Sequence, residues 1–267
     1  MARRFNFFDC CGITVLMLTA LFVITALSTI IIGGLPFIQQ ALKSPEALFS
    51  LKISLFTSTL STLLCFIIGI PCAYAIVRCR FPLQRLCIAV TELPLSMPYM
   101  VLGLCLLMVF SSDIGRMLRD AGFRIVFDTK GIIVAQWMVN IPFMIQLLRT
   151  AFESVDPRLE FIAATLGASR WQRFKTILLP QCINSMLMAG ILVWSRAIGE
   201  FGATLMLVGV TRMKTETLPA SIYLNITTGD DGMAMASALL LLAISGIAQS
   251  IASLLRRRNP SRISSAN

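Results

Sequence analysis

Histidine is absent from all 267 residues. That excludes Ser-His-Asp triads, Cys-His dyads and zinc sites built with imidazole. Charge is scarce too: only 13% of residues are Asp, Glu, Lys or Arg, where a soluble domain carries about a quarter. A chain this long cannot clothe a globular surface with so few charges, so an ordinary soluble fold is excluded. No Gly-x-x-x-x-Gly-Lys-[Ser/Thr] loop occurs, which removes an ATPase site of that type. The eight cysteines include no Cys-x-x-Cys pair. Cys65, Cys72 and Cys79 recur every seventh position in one apolar run, either as small packing residues on one helix face or as a thiol stripe for passing a metal. No Ser- or Gly-rich linker divides the chain, so residues 1–267 read as a single membrane domain.

Apolar length is what the sequence has in abundance. Hydrophobic residues make up 57% of it, with a mean hydropathy of +0.81. A membrane-crossing helix needs about 20 apolar residues, and six segments qualify: 11–32, 53–77, 86–110, 131–148, 183–208 and 233–255. The expected fold is an all-α polytopic membrane protein of about six transmembrane helices. Arg3 and Arg4 precede the first segment, but its apolar core outruns the 7–15 residues of a secretory signal, so it reads as a span. An even number of spans puts both termini on one side. Fourteen of the 23 basic residues fall on that side, eight on the other, and Arg196 inside a span. Because basic residues mark the cytoplasmic side, both termini and residues 153–180 are predicted to be cytoplasmic. The net charge of +10 is read as this orientation signal, not as a nucleic-acid surface, because its residues flank apolar runs.

Several spans are interrupted. Pro94 and Pro98 fall in the third, Pro71 in the second and Pro142 in the fourth. Proline lacks an N–H and kinks a helix; in a bilayer this is tolerated where neighbours or a wet cavity satisfy the freed groups. Each proline therefore marks a packing kink or a discontinuous helix beside a substrate path. Between the third and fourth spans, Asp113, Arg116, Arg119 and Asp120 alternate at helical spacing with Ile114, Met117 and Leu118. This predicts a short amphipathic helix, fit either for an external partner or for the membrane surface.

Residues 153–180 are polar by comparison, yet they carry helical signals. Asp156 suits an N-cap, Pro157 the first helical position and Glu160 the positive end of the helix dipole. Leu159, Ile162, Ala163 and Leu166 form an apolar face, Gly167 suits the left-handed residue that ends a helix, and Ser169 can cap a second helix carrying Trp171, Phe174 and Lys175. Two short helices at a sharp angle make a knob for a groove on another protein. The same residues, with Arg170 and Arg173, would also suit a helix resting on lipid headgroups.

The spacing of this segment is similar to the signature loop of permeases from ATP-binding-cassette importers: Glu-Ala-Ala, three residues, Gly, nine residues, Ile-x-Leu-Pro. Ala163, Gly167, Ile177, Leu179 and Pro180 fall on the pattern, and Ala168 follows the glycine. Phe161 and Ile162 replace the Glu and the first Ala, while Glu160 lies one residue early. Residues from about 51 to 255 resemble the permease domain of type I importers. LPLSMPYMVLG (93–103), VNIPFMIQLLRTAFESVDP (139–157), RAIGEFGATLMLVG (196–209) and TETLPASIYL (215–224) look most like molybdate or tungstate permeases. Sulfate permeases share the Gly-Glu-Phe-Gly-Ala run, so a sulfate or thiosulfate permease is the alternative. The resemblance implies a homodimer in the bacterial inner membrane with two cytoplasmic ATPase subunits and an extracellular or periplasmic oxyanion-binding protein. It implies no cofactor in this chain, with ATP and Mg bound by the ATPase. It also implies that Asp156, Pro157, Glu160, Ala163, Gly167, Ala168, Ile177, Leu179 and Pro180 couple to that ATPase.

Arg196 and Glu200 are four residues apart and so share one face of the expected fifth span. Intramembrane charges are costly and usually face a bundle interior or a wet cavity. Together with Pro94, Pro98 and Gly199 they are candidates for the translocation pathway; the other reading of the two charges is a structural ion pair. An intramembrane enzyme is a further alternative of a different class. It would have to work with Glu92, Arg196 and Glu200 alone at membrane depth.

Overall fold

The computed structural model describes residues 7–79 and 81–257; Arg3, Arg4, Arg80, Arg258 and Arg262 of the charge count lie outside them. Among the described residues there is no strand. The helices are α1 (Phe7–Gly34), α2 (Ile38–Lys43), α3 (Pro45–Arg78), α4 (Gln84–Ser96), α5 (Tyr99–Ser111), α6 (Asp113–Asp120), α7 (Thr129–Glu153), α8 (Pro157–Thr165), α9 (Arg170–Arg173), α10 (Leu179–Ile198), α11 (Gly202–Val208), α12 (Leu218–Thr227) and α13 (Asp231–Arg257). A short 3₁₀ turn, Leu35–Phe37, joins α1 to α2, and a π turn, Phe174–Leu178, joins α9 to α10. Among the described residues five stretches are long and apolar enough to cross a membrane, six if the sharply bent pair α4–α5 is counted as one span.

Helix α7 is the axis of the fold, packing against α3, α10 and α11. Two apolar clusters are stacked along it. Toward its C-terminal end, Met144, Leu148, Phe152 and Val155 meet Cys65, Ala73, Leu178 and Cys182. Toward its N-terminal end, Ile132, Ala135 and Val139 meet Ile53, Leu102, Ala203 and Leu207. The cysteine stripe resolves accordingly: Cys65 is fully buried and Cys72 half-buried on α3, with Cys79 half-buried as the extended residue that caps its end. A row of small hydroxyls on α3, including Ser50, Ser54, Ser58, Ser61 and Thr62, is buried as well. Small side chains let helix backbones come close inside a bilayer. Their hydroxyls are satisfied locally, Thr62 donating to Ser58 O at 2.7 Å, or across helices, Ser54 Oγ accepting from Leu218 N at 2.7 Å. Helix α1 is different: it is apolar all round and almost wholly exposed, reaching the rest of the fold through contacts with α13.

Three expectations change. Residues 33–52, the gap between the first two expected spans, are largely helical, because Ser44 caps α3 with its side chain on Ala47 N and Pro45 opens it. At 34 residues and 1.5 Å per residue, α3 is about 51 Å long, well beyond the ~30 Å hydrocarbon layer. The third span is two helices: Met97, forced into extended backbone before Pro98, breaks it, and the chain bends by 113° there. Pro94 sits within α4, and Pro71 and Pro142 within α3 and α7, without breaking them. The fifth span does not run on to Val208: it stops at Ile198, and α11 starts afresh at Gly202.

Candidate functional site

Two features stand out, a helix pair at one end of the bundle and a pair of helix breaks within it. At the end where α3 and α7 finish, Asp156 accepts a hydrogen bond from Arg158 N at 2.9 Å and Pro157 takes the first position of α8. The helix closes at Gly167, whose φ is +85°. Gly167 N–H donates to Ala164 O and Ala168 N–H to Ala163 O, both at 3.0 Å, the paired bonds of a Schellman cap. Ser169 then accepts from Gln172 N, while the Gln172 side chain accepts from Ser169 N at 2.7 Å, a capping box that starts α9. Sequence and backbone agree at every one of these positions.

The outer side of this helix pair is apolar and uncovered. Leu166 is 84% exposed and Phe161 69%, with Leu159 and Ile162 also exposed and Ala163 half-buried; Trp171, 68% exposed, stacks on Phe174 and borders the cleft against α3. The inner side is anchored. Glu160 is buried and accepts from Arg78 Nε at 2.7 Å, and Arg78 Nη2 donates to Phe152 O and Val155 O, each at 3.2 Å. The carboxylate lying one position before the motif's acidic site thus faces inward and ties α8 to α3, while Phe161, at the acidic site itself, faces out. Phe174 plugs the second half of the segment into the core, its ring edge-on to Tyr74 at 5.3 Å and stacked with Trp171 at 5.6 Å. Pro180 has no N–H to continue the helical ladder, and the chain widens into the π turn, Leu179 N–H reaching back to Phe174 O. Within it Ile177 is half-buried and Leu178 fully buried; Leu179 is half-buried and Pro180 exposed.

Within the bundle, the break before α5 lies against the break before α11. A Cβ on Gly103 would come within 2.7 Å of the Ala203 backbone, and one on Gly202 within 3.4 Å of Met100 N. Arg196, in the last turn of α10, donates to the Tyr99 hydroxyl at the start of α5. Its guanidinium also lies 5.3 Å from the Tyr99 ring and 5.1 Å from the Phe143 ring, positions that favour a cation. Glu200 is turned elsewhere: its Oε1 accepts from Ala203 N at 2.8 Å and starts α11. Among the described ion pairs Arg196–Glu200 does not occur. The structural ion pair considered from their spacing is therefore not formed, because the helix that would have aligned the two side chains ends between them. Gly199 is exposed at the break, Pro98 is exposed as the cap of α5, and Pro94 is half-buried one turn earlier.

Some residues of these features escaped the sequence reading. In the sequence Arg78 carries no signal beyond its place among the basic residues that flank a span. Tyr99 and Phe143 carried no signal beyond aromaticity, although Tyr99 directly follows Pro98. Gln136 and Asn140 of α7 are buried beside the fifth-span break, Gln136 Nε2 donating to Ala197 O at 3.0 Å, with Gln136 Oε1 and Asn140 Oδ1 lacking a protein partner. At the opposite end of the bundle, α6 forms as expected, with an i,i+3 pair between Asp113 and Arg116. Arg212 there joins Asn225 at 3.1 Å and Glu46 at 3.4 Å.

Comparison with known proteins gives this geometry a context. The chain is 37% identical over 217 residues to the molybdenum transport system permease protein ModB of Escherichia coli K12, covering 79% of this chain and 92% of that one. It is 38% identical over 168 residues to the molybdate/tungstate transport system permease protein WtpB of Pyrococcus furiosus, covering 63% of each. With the sulfate transport system permease protein CysT of E. coli it shares 31% over 209 residues, 77% of this chain and 75% of that one. Among solved structures, a bacterial alginate ABC transporter crystallised with an alginate-bound periplasmic protein superposes with a TM-score of 0.76 at 18% identity, over 93% of both chains. The fold is that of type I ABC importer permeases. Residues 65–259, which contain the helix pair and both breaks, match one family throughout, and the chain belongs to the binding-protein-dependent transport system inner membrane components.

Proposed function

We propose that this chain is the membrane permease of an importer for molybdate or tungstate, working by alternating access under ATP energy supplied by separate ATPase subunits. The observation that carries the reading is the helix pair α8–α9: an apolar outer face on a base fixed by Arg78, Glu160 and Phe174. An exposed apolar knob on a rigid base is what a partner's groove can move as a body. Asp156, Pro157, Gly167 and Ala168 shape that knob, and Ile177, Leu179 and Pro180 join it to α10, which ends at the inner break. ATPase movement at the knob would thereby reach Arg196 and Tyr99 through one helix. The chain works as a homodimer in the bacterial inner membrane with both termini and the knob in the cytoplasm, ATP and Mg bound only by the ATPase, and no catalysis of its own.

The oxyanion preference rests on relatives: identity is higher to the molybdate and tungstate permeases than to the sulfate permease. Arg196 donates to the Tyr99 hydroxyl and lies over the Tyr99 and Phe143 rings, with its Nε unpaired; a single guanidinium so committed offers a dianion a passing contact and not a tight site. Tight capture falls to an extracytoplasmic binding protein meeting the outer end, where Arg116, Arg119 and Arg124 lie exposed; such rim charges mainly speed association. The decisive measurement is uptake of labelled molybdate, tungstate and sulfate by proteoliposomes carrying permease, ATPase and binding protein. Uptake of molybdate or tungstate that needs all three parts is expected. Preference for sulfate would select the alternative substrate, and full uptake without ATPase or binding protein would refute the importer reading.

A further inference from the structure

Beside the coupling knob two cavities adjoin, sharing Tyr74 and Arg170 in their walls. One, of about 380 Å³, has Arg78, Glu160, Arg170 and Arg173 in its wall. The other, of about 370 Å³, is lined by Ile70, Pro71, Tyr74, Trp171 and Phe174, with Arg170 at its edge. The joined cleft is thus cationic at one end and apolar at the other. Ile70 lies eight residues before Arg78 on α3, about 12 Å along the helix axis. That is the separation between a headgroup and the upper part of its acyl chains.

The charges at the cationic end are unbalanced. Its one carboxylate, Glu160, is committed to Arg78 at 2.7 Å. Among the described residues neither Arg170 nor Arg173 has an acidic partner within 4.0 Å, and Arg173 Nε is buried with no hydrogen-bond acceptor. A desolvated guanidinium N–H without an acceptor is unfavourable, and the planar fork of arginine fits phosphate oxygens best. Trp171, largely exposed and stacked on Phe174, is the amphipathic ring found at headgroup level. A free oxyanion would satisfy the arginines but leave the apolar half of the cleft empty.

We propose that this cleft binds an anionic phospholipid, its phosphate between Arg170 and Arg173 and one acyl chain along Ile70, Pro71, Trp171 and Phe174. The lipid clamps α9 to α3, so headgroup charge sets how firmly the coupling segment sits on the bundle. The site rests on the proposed reading only in taking this end of the bundle as the cytoplasmic leaflet; the binding itself does not depend on the ATPase.

The test uses the full chain in lipid nanodiscs, with Trp137→Phe and Trp194→Phe leaving Trp171 as the only tryptophan. Its fluorescence is quenched by phosphatidylglycerol or by phosphatidylcholine brominated on the acyl chain, each diluted into the unlabelled other lipid. An arginine near an anionic surface contributes about fivefold to lipid preference (~1 kcal/mol), so two predict phosphatidylglycerol favoured on the order of twentyfold. Arg170→Gln/Arg173→Gln is expected to remove that preference. Arg170→Gln alone, at an exposed position, is expected to lower it about fivefold and keeps the test open if the double variant does not insert. Equal quenching by both lipids, or an unchanged preference in the variants, overturns the site. Displacement of the brominated lipid by inorganic phosphate or molybdate would assign the arginines to a free oxyanion and overturn it too. ATPase co-purification with the same variants separates the two readings: a chain that keeps its lipid preference but never retains an ATPase counts against the coupling role alone.

Discussion

Neutralising Glu160 tests whether the helix pair α8–α9 is held to the bundle by charge. In Glu160→Gln the Arg78 guanidinium keeps its two carbonyl acceptors, Phe152 O and Val155 O, but loses the carboxylate at 2.7 Å. Stranding one partner of a fully buried pair costs about 3–5 kcal/mol. Here the side chains retain 15% and 9% of their exposure and the glutamine still accepts a hydrogen bond, so about 2 kcal/mol is expected, near the value of a charge-assisted hydrogen bond. The loss falls on attachment of α8 and not on insertion of the spans. Amide exchange across residues 157–165 should therefore speed up by roughly thirtyfold, with the spans unaffected. Arg78→Gln should do at least as much, and the double variant should fall short of the sum of the two losses by about 1.5 kcal/mol. Glu153→Gln is the control: its pair with Arg149 is as short, 2.8 Å, but its side chains are 36% and 50% exposed, and such i,i+4 surface pairs contribute at most about 0.5 kcal/mol. Exchange in α8 within threefold of wild type, or strictly additive losses, would refute the anchoring argument.

Three further outcomes are expected. Gly167→Val places a β-branched residue at φ +85° where an added Cβ meets nothing within 4 Å; the cost is backbone strain alone, about 1–2 kcal/mol, and ATP-driven uptake should fall while membrane insertion persists, whereas Gly167→Asn should retain more uptake. In double-mutant cycles read by uptake or thermal unfolding, Arg196→Gln should couple to Tyr99→Phe more strongly than to Glu200→Gln, since Arg196 bonds to Tyr99 and Glu200 accepts from Ala203 N; stronger coupling to Glu200 would contradict this arrangement. Gly103→Val should force α5 from α11, because its Cβ would lie 2.7 Å from Ala203 Cα and from Ala203 O; overpacking of this kind costs about 1–3 kcal/mol or more, seen as lower yield or unfolding temperature, and wild-type stability would show that the two helices separate freely.

The sequence by itself determined the membrane class, six apolar stretches and the local form of the α8–α9 helix pair. Those are short-range matters: hydropathy over about 20 residues decides insertion, and Asp156-Pro157, Gly167 and Ser169 each act on backbone within a few positions of themselves. Pro98 likewise broke the third span where its missing N–H and its effect on Met97 require. Proline alone was an incomplete guide, since Pro71, exposed, and Pro142, buried, both lie inside unbroken helices. The fifth span misled for the opposite reason. It reads as one apolar run through Gly199-Glu200-Phe201, and only packing of α11 against α5, with Glu200 turned to Ala203 N, ends it at Ile198. The partners of the charged side chains were equally out of reach. Arg78 meets Glu160 across 82 residues and Arg196 meets Tyr99 across 97, and helical spacing carries no information over such separations. Which face of a helix is apolar is written in its own few turns; which distant residue lies opposite it is decided only when the helices pack.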